Sequence, residues 1–399
     1  MSNLQRITLA CFLAYFIMSG VLSPIGIITG PMADHFDQPI TDIASNFSWL
    51  TGGIFFGSLA ALIIYEWVKL KSALMALYGM ILLCLISLPF QSELSGIWLA
   101  LGLVGACCGA GLAGAAIVIS KAYVYERRAS MLIITDGCFS VAGIVTSWLA
   151  VQFLAQNIEW YGTYLFVAGV ACITIALCAI SSFPDGSSAA EDAEISTNEP
   201  WPIGAWLCIA ALFVYTLSQF SLLLWLPNFA ETNLDVPRGE AGLLVGRFWT
   251  GMLVSQIFVA WWVLKIGVRR TVMIGAIASA LSTIPFWSMS QMEELVIFAF
   301  VCGAVNLGLL KVTLSLATQM MKVPPARLVS ALLLGATTGT SVAPWISSRI
   351  VEATSNYTVL IVCTFGYSIV AVLVILAMAL SKEAEAEAEI EVAAVEPAA

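Results

Sequence analysis

The sequence predicts an all-α membrane protein of twelve transmembrane helices in two six-helix halves. Two observations carry this reading. Twelve apolar stretches of bilayer length follow one another between Ile7 and about Leu380. A run of about 20 apolar residues at 1.5 Å rise crosses roughly 30 Å of hydrocarbon, where only a helix satisfies its own backbone. The composition agrees: 60% hydrophobic residues, 10% charged and a mean hydropathy of +0.95 leave too few charges to cover a soluble domain.

In chain order, the spans expected in the first half are 7–30, 46–66, 72–90, 95–119, 131–155 and 161–183. Those of the second half are 202–226, 241–264, 271–288, 295–318, 328–350 and 358–381. The first run carries one basic residue, Arg6, and reaches Gly30, which is longer than a signal-peptide core, so it is read as a retained span. Between the halves lies an acidic linker, 184–201, and after Leu380 an acidic tail, 382–399, whose alternating Glu and Ala bury nothing and are expected to be disordered. The two bundles are therefore 1–183 and 202–381.

The net charge of −9 belongs to those two tracts, because without their eleven acids the rest of the chain carries +2. It implies neither a basic ligand nor an anionic partner surface. Lys and Arg set the orientation. With the N-terminus in the cytoplasm, twelve of the sixteen fall on the inside, among them Lys69, Lys71, Arg127, Arg128, Arg269, Arg270 and Lys322. Both termini are expected to be cytoplasmic. All ten cysteines lie in apolar spans, and with the single His35 there is no zinc pattern, so no metal site is expected.

Ionisable groups inside spans are the sharpest functional signals, because a charge near mid-bilayer costs about 2.5 to 3.5 kcal/mol on lenient scales. Three occur. Asp136 lies about six residues into span 5, with Ser140, Gly143 and Ser147 on the same face at i+4, i+7 and i+11. Lys311 lies about seven residues from the inner end of span 10, with Gly308, Ser315 and Thr318 on its side. Both are roughly 10 Å below the inner surface. Equal depth allows a pair between the halves, released when Asp136 takes a proton; a static ion pair, or a lysine reaching along its stem to the surface, fits the sequence too. The third, Arg247, sits near the outer end of span 8, where it could grip an anionic solute, pair with Asp34 or Glu240 as an outer gate, or reach to the surface.

Uncharged polar groups form stripes: Tyr15, Ser19 and Ser23 on span 1, Tyr215, Ser218 and Gln219 on span 7, Asn306 and Thr313 on span 10. Such groups bond a neighbouring helix or face a solute. Trp49, Trp225 and Trp249 suit stacking on a ring or anchoring at the interface, and Trp225 is read as an anchor. Span 4 is rich in glycine, including the pair Gly105 and Gly109, a face that allows close helix packing. Gly20, Pro24, Gly26 and Gly30 in span 1 and Gly335, Gly339 and Pro344 in span 11 mark helices that flex.

The loop after span 8, Leu264-Lys265-Ile-Gly267-Val-Arg269-Arg270, with twelve spans and a central linker, resembles the major facilitator superfamily. Its first-half counterpart, Glu66-Trp-Val-Lys69-Leu-Lys71, keeps the charges but lacks the glycine. Met32-Ala-Asp34-His-Phe36, Thr135-Asp136-Gly-Cys-Phe-Ser140, Ile158-Glu-Trp-Tyr161 and Lys322-Val-Pro324-Pro-Ala-Arg327 are similar to the TsgA-like branch, related to the fucose permeases. The resemblance covers nearly the whole chain. It implies a proton-motive secondary carrier in a bacterial inner membrane, with Gly267, Arg269 and Arg270 as a conformational loop. It also implies that spans 1, 4, 7 and 10 line the cavity, which makes Gln219, Asn306, Tyr215 and Tyr15 substrate-binding candidates beside Arg247 of span 8, a candidate on its charge.

The expected function is alternating-access transport of a small polar or anionic solute, coupled to protons through Asp136 and Lys311. The alternative is a non-transporting sensor or scaffold on a transporter fold. An intramembrane enzyme would need a catalytic cluster such as His-Glu-x-x-His, and none is present. No nucleotide-binding Gly-x-x-x-x-Gly-Lys occurs, so an ion gradient is the expected energy source. The chain is expected to work as a monomer in the bilayer, with a solute and protons as partners, no nucleic acid and no cofactor.

Overall fold

The computed structural model describes residues 2–123, 125–183, 200–306, 308–321 and 326–395. Twelve helical segments among them are long and apolar enough to cross a bilayer, and no strand occurs among the described residues. Spans 1 to 6 are Asn3–Leu22, Ile40–Tyr65, Leu70–Phe90, Leu94–Ala122, Ile134–Ala155 and Gly162–Ala179. Spans 7 to 12 are Ile203–Asn233, Arg238–Val259, Val268–Ser288, Met292–Thr318, Arg327–Ala353 and Asn356–Ser381. Residues 184–199 of the expected linker lie outside the described residues, as do Lys322, Pro324 and the side chains of Arg127 and Arg128. Phe56, Leu83, Ile257 and Phe365 are each about two-thirds exposed on the perimeter, an apolar surface suited to lipid and not to water.

Two expected helices are broken. Span 1, read over 7–30 with Pro24 among the residues at which it flexes, stops at Leu22, and a second helix, Ile25–Phe36, begins after Pro24, whose ring and missing N–H cannot continue the ladder. Span 10 divides into Met292–Val305 and Leu309–Thr318 at Gly308, which adopts the left-handed φ of 57° that a side chain disfavours. Lys311 therefore sits in the first turn of a separate ten-residue helix. The last helix continues past Ser381 to Val395, where the tail was expected to be disordered. Glu and Ala are both strong helix formers, and this local preference sets the backbone there.

The glycine face of span 4 packs on span 2: a Cβ on Gly105 or Gly109 would overlap the carbonyls of Leu50 or Ile54. The second half repeats the device between spans 8 and 10, where Gly251 meets the carbonyl of Phe300 and Gly303 that of Phe248. Each half is also tied at one end by a cation. Lys71 Nζ donates to the carbonyls of Ala179 and Ser181 at 2.7 and 2.8 Å, capping the end of span 6. Arg269 Nη2 donates to Ser381 Oγ at the end of span 12, at 3.0 Å. Asn3 exchanges two hydrogen bonds of 2.8 Å with the Ser182 backbone. The start of span 1 and the ends of spans 6, 8 and 12 thus share one face, here the termini side.

On the opposite, far side the halves close on each other. Arg238, the first residue of span 8, bonds Asp34 Oδ2 at 2.6 Å and Glu231 Oε1 at 2.8 Å. Gly26 lies against the carbonyls of Leu223 and Leu224, and Thr51 Oγ1 donates to the Ser341 carbonyl at 3.0 Å. Span 5 packs along span 8 and span 2 along span 11.

Candidate functional site

Asp136 and Lys311, from opposite halves, form an ion pair through Asp136 Oδ2 and Lys311 Nζ. The pair is not deeply buried: its side chains are 27% and 44% exposed. A pair with that much access contributes about 0 to 1 kcal/mol. The face predicted beside Asp136 meets span 8. Ser140 Oγ donates to Gln256 Oε1 at 3.1 Å, and Gln256 Nε2 donates to Asp136 Oδ2 at 3.3 Å. Gly143 faces the Trp249 indole, with a Cβ there 2.6 Å from Cγ and Cδ2, and Ser147 lies beside Gly246.

Gln256 was not foreseen. An amide in mid-span is as costly to leave facing lipid as Gln219, so the same reasoning would have found it. The Trp249 ring packs on Phe139 at a centroid distance of 5.5 Å and lines a narrow pocket on the far side with Leu22, Ser23, Gly26 and Phe220. Tyr15 on span 1 and Tyr215 on span 7 lie within electrostatic reach of the Asp136 carboxylate. Tyr215 is buried edge-on against Tyr367, with centroids 6.0 Å apart, and its hydroxyl has no hydrogen-bond partner. Gln219 is 4% exposed and reaches only the Met252 sulfur, at 3.9 Å. Asn306, fully buried at the break in span 10, donates to the Cys302 carbonyl at 2.7 Å while its Oδ1 is unpartnered.

Three expectations change. Arg247 does not line the space between the halves. It is exposed on the helix face that carries Leu243, Val254, Phe258 and Trp261, which turns it toward the membrane, opposite Met252 and Gln256. Asp34 finds its cation in Arg238, not Arg247. Trp225, read as an interfacial anchor, is 1% exposed and donates to Ser347 Oγ at 3.0 Å, joining span 7 to span 11. In the loop after span 8, Gly267 takes φ 82°, Arg269 holds Ser381 and Arg270 is exposed.

The arrangement brings unlike charges from the two halves together, beside amides and aromatic rings. Known proteins share this architecture. The family model described as Major Facilitator Superfamily matches residues 207–397. The Protein TsgA homolog of Edwardsiella ictaluri is 26% identical over 93% of this chain and 95% of its own length. Protein TsgA of Escherichia coli O9:H4 is 26% identical over 93% and 94%. Among solved structures, the nucleoside transporter NupG superposes with a TM-score of 0.69 at 14% identity, covering 95% of this chain and 99% of its own. The peptide transporter POT in complex with sulfate superposes with a TM-score of 0.74 at 14% identity, covering 96% and 94%. Twelve spans in two halves, the family model over the second half, similarity to the TsgA proteins along almost the whole length and this shared fold make the chain similar to TsgA-like transporters of the major facilitator superfamily.

Proposed function

We propose that this transporter moves a small polar solute across a bacterial inner membrane by alternating access, and that protons drive it through Asp136. The Lys and Arg distribution supports the termini side as the cytoplasmic side. The far-side contacts then make the state described here closed to the outside, with Asp136 and Lys311 reached from the cytoplasm. The observation that supports the coupling role is the ion pair between the halves, partly exposed and backed by Gln256. The Asp136 carboxylate holds the Lys311 ammonium by charge, and a proton on that carboxylate removes the attraction, so protonation favours separation of the halves and the unprotonated acid favours their contact.

Reconstituted protein under an imposed pH gradient tests this with a panel of labelled sugars, nucleosides, carboxylates and oxyanions. Wild type should accumulate at least one of them above equilibrium only when the gradient is present. Asp136→Asn should still exchange that solute between the two sides of the membrane and lose accumulation. Undiminished accumulation by the variant ends the coupling role, and failure of wild type to move any solute ends the transport reading.

A further inference from the structure

Of the arginines toward the far side, two are matched by the protein itself. Arg238, at the head of span 8, is held by Asp34 and Glu231, and Arg349, near the end of span 11, pairs with Glu352. Arg247 has no ion pair and no hydrogen bond among the described residues. It lies nine residues into span 8, about 13 Å from Arg238 along the axis, and is exposed on the membrane-facing stripe. Helical side chains lean toward their own N-terminus, which in span 8 is the far-side end, so the guanidinium is carried toward the headgroup region.

A guanidinium facing lipid needs an anion, and the anion that a bilayer presents at its headgroup level is the lipid phosphate. A second group refines the match. Glu240 lies seven residues nearer the far end, about 10 Å above Arg247, and the backbone stays helical between them through Gly242 at φ −61°, ψ −23°. Seven residues are nearly two full turns, so the exposed Glu240 shares the stripe of Arg247, with exposed Leu243 between the two. From the membrane core outward the stripe runs apolar at Phe258 and Val254, cationic at Arg247 and anionic at Glu240. A zwitterionic phospholipid runs in the complementary order of acyl chains, phosphate and terminal ammonium. We infer that this face of span 8 binds the headgroup of such a lipid, with the phosphate on Arg247 and a primary ammonium on Glu240.

Purified, delipidated full-length protein in detergent is titrated with dioleoyl phosphatidylethanolamine, phosphatidylcholine and phosphatidylglycerol, and with soluble glycerophosphoethanolamine, and native mass spectrometry counts what binds. Phosphatidylethanolamine should bind about fivefold tighter than phosphatidylcholine, whose quaternary headgroup has no N–H to donate, and than phosphatidylglycerol, which has no ammonium. Arg247→Leu should weaken the tightest site about fivefold for all three lipids. Glu240→Gln should erase the preference for the primary ammonium and keep phosphatidylcholine affinity within about twofold. Neither variant should lower the melting temperature in detergent alone, which separates lost binding from lost fold. Arg349→Leu removes a far-side cation that is already paired and should leave every lipid affinity within about twofold. Wild-type lipid affinity in Arg247→Leu overturns the inference, as does tightest binding of phosphatidylglycerol. Glycerophosphoethanolamine binding as tightly as the intact lipid would assign the face to a soluble compound and overturn it too.

Discussion

Gly143 offers a direct test of whether the far-side contact between spans 5 and 8 is one of two alternative states. Its missing side chain lets the Trp249 indole lie against span 5, and a methyl group there would sit 2.6 Å from Cγ and Cδ2. Trp249 is 2% exposed and wedged between Phe139 and Phe248, so it has little room to retreat. Overpacking of this kind costs about 1 to 3 kcal/mol. If the cost falls only on the state with the far side closed, Gly143→Ala shifts the balance toward far-side opening by roughly 5- to 150-fold. The assay adds Ser23→Cys, 6% exposed in the far-side pocket, and follows its labelling by an impermeant maleimide applied from the far side. Labelling should accelerate at least fivefold with Gly143→Ala. The control is Gly105→Ala, which strains spans 2 and 4 inside one half. It should lower the melting temperature without changing the labelling rate. Equal labelling in parent and Gly143→Ala, with stability lost as in the control, would show that the contact is static packing and refute the reasoning.

Three further outcomes follow from the same geometry. In a double-mutant cycle, Asp136→Asn and Lys311→Gln should each destabilise more than the pair together, with a coupling energy of about 1 kcal/mol read from thermal or denaturant unfolding. Arg247→Leu, on the membrane-facing stripe, should leave solute affinity within twofold and hold or raise the melting temperature; a tenfold loss of affinity would place it at the solute after all. Gly267→Ala forces a side chain into φ 82°, ψ 160°, a region nearly reserved for glycine, and should cost about 1 to 3 kcal/mol in unfolding measurements.

Much of this architecture is legible in the residues because the bilayer fixes span length and forbids exposed backbone. The depths of Asp136 and Lys311, counted along two helices, already put them in register, and the glycine face of span 4 announces a close neighbour. Orientation around a helix axis is harder. Arg247 shares its face with Leu243, Val254, Phe258 and Trp261, a pattern visible in the sequence but outweighed by the pull of a charge in a span. The breaks at Pro24 and Gly308 sit inside runs whose hydropathy is continuous, so hydropathy places the span and is blind to its interruption. Trp225 shows the same limit: indole chemistry suits an interface or a buried donor, and only the position of Ser347 decides between them.

The interruption of span 10 has a mechanical corollary. Leu309–Thr318 hangs from Gly308 as a lever of about 15 Å, carrying its ammonium one turn from the fulcrum. The short helix packs on spans 7 and 9, whereas Met292–Val305 is clamped to span 8 through Gly303. The two pieces of span 10 are thus held by different neighbours, and the glycine between them is the joint at which their directions part.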